Sequence, residues 1–394
     1  MSEKLTIGFL PLVDACLPIL AREHGFAEEE GLTLDFLRDV SWATVLDRLL
    51  YGHSDAAHML APLAIATTLG RNRPPQPLSA PFVLGLNGNA ISLRNDLAER
   101  IAPGAGLGDP REIGGRLAGG ERLRFGVVHR YSSHSYMLRY WLAACGIRPD
   151  RDVDIVTVHP PFVADALASG EIHGACVGEP WNSVCVDRGV GAIVLATAQI
   201  WLRGVEKVLA LREPVLEDRR PAIEALIRAM RKAGRHFVEP ANWEVNAAIL
   251  ARPEYLDGNA DLILRSISDR LVLRQGGEPV HYSDFMFQYR EAANFPWVSQ
   301  AEWLYSQMVR WEGLPCSAAD AQAAARVFRP DVYRSALKGT GDILPGANSQ
   351  VEGSLRQLLP ATAQQGDMIL AKNGFFDGMV FDPDDIPGYL EKLP

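Results

Sequence analysis

The sequence lacks most of the signatures that would classify it quickly. Its five cysteines, Cys16, Cys145, Cys176, Cys185 and Cys316, form no Cys-x-x-Cys pair. That excludes a zinc ribbon and a thioredoxin-type motif, and the odd count is simplest to read as reduced thiols. There is no Walker A loop and no His-Glu-x-x-His zinc motif. No window offers about 20 uncharged apolar residues, so no membrane-spanning helix is expected. The N-terminal stretch Met1–Asp14 has no basic region, and Gly8 and Pro11 cut its apolar run. It predicts a first strand and not a secretory signal, so a cytoplasmic location is expected.

What is present describes an ordinary globular chain. It has 394 residues, 47% of them hydrophobic and 22% charged, enough for about two to three domains. The net charge of −9 repels nucleic-acid backbone and anionic membrane. Neither is expected as a direct partner, and any anion must be held by a local site against the global field.

Short apolar strands alternate with helical patterns. Leu5–Leu10, Leu32–Leu37 and Phe82–Leu86 read as strands, with helices over Val13–His24, Trp42–Tyr51 and Asp55–Leu69. The rhythm restarts with strand Arg124–Val128, helix Ser133–Cys145, and strands Val153–Val158, Gly174–Val177 and Ala192–Thr197. After Lys207 one more strand leads into a mostly helical remainder. The pattern predicts an α/β protein with a mostly parallel sheet. Two lobes are expected, 1–92 with 207–394 and 93–206.

Several apparent motifs dissolve on inspection. Gly104-Ala-Gly106-Leu-Gly108-Asp109 misses the third glycine of a nucleotide loop. Gly52-His53-Ser54-Asp55-Ala56 misses the last glycine of a nucleophile elbow, so Ser54 reads as a helix N-cap. His53 and His58 are poorly spaced for metal on a helix, and His58 reads as core or pocket lining. No metal, cofactor or catalytic set is expected.

Ligands in open α/β sheets bind beyond the carboxyl ends of strands. Trp42, His134, Gly178 and Lys207 fall at such places. Each has a plain alternative: a core aromatic, a capping histidine, a turn glycine, a solvated lysine. Residue patterns alone stop at a two-lobed α/β binding protein or enzyme.

The same segments resemble a known family. Gly8-Phe-Leu-Pro-Leu-Val-Asp14, Ser41-Trp42-Ala43, the run His134–Gly146, Gly178-Glu-Pro-Trp181, Glu206-Lys207 and Phe375–Pro383 are similar to the nitrate- and bicarbonate-binding proteins of cyanobacterial ABC transporters. The resemblance spans about residues 5–390. It implies a type II periplasmic-binding-protein fold with a hinge, a helical C-terminal extension and a small oxyanion, nitrate or nitrite, between the lobes. It also implies that Trp42, His134, the Gly178 backbone N–H and Lys207 hold the anion. A family Gln falls near Gly85, where Asn87 or Asn89 is the substitute on offer.

Nitrate is an acceptor-only monoanion and needs donors, one cation and no unpaired carboxylate. Bicarbonate adds a donor O–H, for which Glu179 is the acceptor candidate, here read as flanking the pocket. Without an export signal the chain resembles the cytoplasmic nitrate sensor of the NasS type. Such sensors release an RNA-binding antiterminator of the NasT type when ligand arrives. The alternatives are a solute receptor of a nitrate/bicarbonate ABC transporter and an enzyme of the thiamine-pyrimidine type. The latter would need an iron-binding Cys and His cluster that is not seen.

Overall fold

A computed structural model describes residues 2–71 and 73–394. Two mixed sheets organise the chain. β1 (Glu3–Phe9), β2 (Leu32–Arg38), β3 (Ala56–Leu60), β4 (Leu78–Asn87) and β10 (Val205–Arg212) belong to the first, with Met286–Phe287 on its edge. The order is Met286–Phe287, β4, β10, β3, β1, β2. The second sheet has the order β7 (Val153–Thr157), β6 (Leu123–Val127), β8 (Gly174–Gly178), β5 (Asn89–Arg94) and β9 (Gly191–Ala196).

The sheets are less parallel than the sequence rhythm predicts. β1 runs parallel to β2 and β3, and β6 to β7 and β8. β10 is antiparallel to both β3 and β4, and β5 is antiparallel to β8 and β9. The antiparallel strands flank the two places where the chain crosses between sheets. The first crossing is Gly88 alone, between β4 and β5; the second follows β9 and enters β10. Asn87 staples the two crossings together. Its Nδ2 donates to the Leu202 carbonyl at 2.8 Å and its Oδ1 accepts from Gly204 N–H at 3.2 Å. Asn87 itself adopts φ 60°, a conformation that asparagine tolerates.

Two local expectations are corrected. Ala56–Leu60 opens the segment read as one helix from Asp55, but it is a strand, and the helix runs only over Ala61–Thr68. All five residues of β3 are buried, between β1 and β10, so no polar alternation marks it as a strand. Ser54 is therefore no N-cap, and Asp55 instead accepts from Thr6 N–H at 2.8 Å. The C-terminal part is helical only in places. From Lys338 to Asp382 there is no α-helix, in a stretch punctuated by Gly339, Gly341, Gly346, Gly353, Gly366 and Gly378.

Two helix starts agree with the sequence reading. Ser41 caps the Trp42–Leu50 helix by accepting from Thr44 N–H, and Ser132 caps Ser133–Ala144 by accepting from Ser135 N–H. These caps fix where Trp42 and His134 emerge. The lobes meet directly: Val13 N–H donates to the Glu179 carbonyl at 2.9 Å and Trp181 Nε1 to the Pro11 carbonyl at 3.2 Å. No helix among the described residues is long and apolar enough to cross a membrane.

Candidate functional site

Lys207 is fully buried at the start of β10. The β10–β4 register shifts on either side of it. A regular strand would send Glu206 and Lys207 to opposite faces, but a bulge lets neighbours share one. Lys207 Nζ accordingly reaches Glu206 Oε1 at 2.5 Å and also Asp14 Oδ2 at 2.7 Å. Asp14 comes from the turn after β1, and its other oxygen meets His58 Nε2 at 2.8 Å. Trp42 closes this side, with Lys207 Nζ 5.3 Å from its ring centre and the His58 ring at 5.3 Å.

The second lobe supplies the opposite wall. Ser133 Oγ donates to Glu206 Oε2, and His134 Nδ1 lies 3.3 Å from Glu206 Oε1. Gly178 ends β8 beside Asn89, with which it pairs across the sheet. A Cβ on Gly178 would lie 3.1 Å from Asn89 Oδ1 and 3.8 Å from Asp14 Oδ2, so a side chain there would crowd the cluster.

Charge and protons follow from burial. Burial pushes the Asp14 carboxyl up, yet Lys207 and His58 outweigh it and hold the pKa well below the usual carboxylate range. Burial pulls the Lys207 ammonium down, and Asp14 and Glu206 more than restore it, so it stays charged. His134 is lowered to about 4 by burial, against the pull of Glu206, and is neutral at pH 7. His58 is lowered for the same reason, against Asp14.

Several buried polar atoms here have no protein partner. Trp42 Nε1 and both ring nitrogens of His134 make no hydrogen bond, nor does Asn89 Oδ1. A buried donor left without an acceptor costs about 1–3 kcal/mol. Ring N–H donors from both lobes beside one ammonium suit a small acceptor such as an oxyanion.

Of the residues singled out from sequence, Trp42, Lys207, His134, Gly178 and Asn89 converge. Asn87 does not: its amide is used on the crossing backbone. Glu179 turns its carboxyl away, onto Ser183 N–H and Ser266 Oγ. His58, read as core or pocket lining, joins the cluster through Asp14, whereas Asp14, Ser133 and Glu206 are not singled out by the sequence as members of it. Asp14 and Glu206 lie inside the segments that carry the resemblance, but a carboxylate is not an obvious neighbour for an anion. Gln288 was missed altogether. It is buried, its Oε1 has no donor, and a Cβ on Gly85 would lie 2.4 Å from that oxygen.

The NMT1-like family model matches residues 1–251. The nitrate/nitrite binding protein NrtA of Synechococcus elongatus is 30% identical over 99% of this chain and 86% of its own. The nitrate import ATP-binding protein NrtC of Synechocystis is also 30% identical over 99% of this chain, which spans only 55% of its length. The crystal structure of the periplasmic nitrate-binding protein NrtA from Synechocystis PCC 6803 has a TM-score of 0.87 at 26% identity, covering 100% of this chain and 99% of that one. The chain belongs to the NMT1-like family and has the two-lobed periplasmic-binding-protein fold.

Proposed function

We propose that this protein binds a small oxyanion of the nitrate, nitrite or bicarbonate class between its lobes, as the solute receptor of an ABC transporter. The observation that carries the reading is the set of unpartnered ring donors, Trp42 Nε1 and His134, beside the buried Lys207 ammonium. Lys207 supplies the charge, the rings supply directed hydrogen bonds, and Gly178 leaves room for close approach. Trp42 and Lys207 lie with the first sheet, His134 and Gly178 with the second, so ligand favours the arrangement in which all donors are within reach. In this reading the lobe boundaries expected at 92/93 and 206/207 move to the crossings, at Gly88 and just before Val205, because β5 (Asn89–Arg94) lies in the second sheet and β10 in the first. The protein acts by binding and not by catalysis.

The relatives favour transport over sensing. NrtA is described as a nitrate/nitrite binding protein, and its Synechocystis form as periplasmic. The reading as a cytoplasmic sensor of the NasS type, with an antiterminator partner of the NasT type, has no comparable support. The cytoplasmic location expected from the first residues is unsupported in the same way.

Calorimetric titration with nitrate, nitrite, bicarbonate and sulfate tests the reading. Saturable binding of a planar monoanion is expected. Absence of heat with all four overturns it. Gel filtration with an RNA-binding antiterminator, with and without millimolar nitrate, separates the sensor from the receptor: the receptor forms no nitrate-sensitive complex.

A further inference from the structure

Met286 pairs with Asn87 and Phe287 with Leu86 on the outer side of β4. Extending that register by one residue brings Gln288 level with Gly85, and the two are in contact: a Cβ on Gly85 would lie 2.4 Å from Gln288 Oε1. On its inner side Gly85 pairs with Lys207 of β10. Gln288, Gly85 and Lys207 thus form one row across three strands, and directly opposed residues present their side chains on one face. Strands are spaced about 4.8 Å apart, so Gln288 begins two spacings from Lys207.

Gly85 makes the reach possible. With no side chain in the middle of the row, the Gln288 amide folds over it. A Cβ at residue 85 would lie 2.4 Å from Gln288 Oε1 and 2.9 Å from its Nε2. The amide therefore occupies the space that any other residue at 85 would fill, one strand spacing from Lys207. The Gln288 carbonyl is fixed by Asn294 Nδ2 at 2.9 Å, while Oε1 is buried without a donor. The buried Oε1 lacks a donor, and the other end of the same amide, Nε2, has no protein acceptor among the described residues to hold it away from the Lys207 cluster, so it is available as a donor to a ligand there.

We propose that the Gln288 amide is a direct contact of the bound oxyanion, reaching it over Gly85 from the edge of the first sheet. This rests on the oxyanion-binding reading of the Lys207 cluster. Nε2 suits an acceptor-only anion such as nitrate, and Oε1 can take the O–H of bicarbonate.

The test is calorimetry on the full chain with nitrate and with bicarbonate, alongside thermal unfolding. Gln288→Leu fills the same volume without donors and is expected to weaken nitrate binding by about 10-fold or more. Gln288→Glu keeps the shape, brings a carboxylate to the anion and is expected to weaken it further. Gly85→Ala displaces the amide and is expected to weaken binding with residue 288 unchanged. The exchange Gly85→Gln with Gln288→Gly returns an amide to the same space and is expected to recover most of the affinity. A residue that only packs would lower the unfolding midpoint and leave the affinity of the folded protein unmoved. Wild-type affinity in folded Gln288→Leu or Gln288→Glu overturns the proposal while the Lys207 site stands. Failure of the unaltered protein to bind either anion overturns the site reading and this proposal with it.

Discussion

Lys207 Nζ and Asp14 Oδ2 form an ion pair at 2.7 Å with both side chains buried, tying β10 to the turn after β1 across 193 residues of sequence. The ammonium also serves Glu206, so two carboxylates share one cation. Lys207→Met would leave both carboxylates buried without their counter-charge. Breaking a buried pair from one side costs about 3–5 kcal/mol. Denaturant unfolding should show that loss, and the folded variant should bind nitrate at least about 10-fold more weakly. Wild-type nitrate affinity in Lys207→Met would place the anion elsewhere.

Trp42→Phe separates packing from hydrogen bonding. The ring lies against His58 and Lys207 and is 1% exposed, but its Nε1 has no protein partner. Phenylalanine retains most of the apolar contact and removes the N–H. Unfolding should change little, and nitrate affinity should fall by less than in Lys207→Met. Wild-type nitrate affinity in folded Trp42→Phe would show that Trp42 serves packing alone.

Anion binding should take up a proton. His134 is neutral at pH 7 because burial lowers it to about 4, and it sits beside a cluster in which carboxylates outnumber the ammonium. A monoanion placed next to it favours the imidazolium and raises its pKa. The bound form then holds more protons than the free form, so affinity falls as pH rises. Titrations in buffers of different ionisation enthalpy from about pH 4 to 7, upward from the free value, should report this uptake. His134→Gln, which does not titrate, should flatten the pH dependence. Affinity that rises with pH in the unaltered protein would refute the assignment.

Glu179 gives a separate dependence on stability. Burial raises its carboxyl to about 7; Oε2 accepts from Ser183 N–H and Ser266 Oγ, while Oε1 has no partner. The folded state keeps this proton while the unfolded chain has lost it, so stability falls as pH rises from the unfolded value, about 4.5, to about 7. Glu179→Gln keeps one acceptor and removes the titration. Its unfolding free energy should match the original near pH 4 and exceed it by on the order of 3 kcal/mol at pH 8. Parallel pH profiles for the two proteins would show that the Glu179 carboxyl titrates alike in the folded and unfolded states, and overturn its raised pKa.

The alternation of strands and helices, the helix starts at Trp42 and Ser133 and the strand-end positions of Trp42, His134, Gly178 and Lys207 were legible because they depend on neighbours in the chain. Periodicity, capping and turn chemistry act over a few residues. β3 was misread because both its neighbours bury it, which erases the alternation that marks a half-exposed strand.

The rest was decided in three dimensions. Whether Glu206 shares a face with Lys207 depends on a register shift against β4, and that depends on how distant strands pair. Asp14, His58 and His134 join the cluster through contacts that no spacing encodes. Gln288 stands opposite Gly85 only because an edge strand docks there. The sequence by itself determined the elements and which residues sit at their ends. Tertiary packing alone decided which charges face one another, because a side chain's partners are set by the space it is buried in, not by its position along the chain.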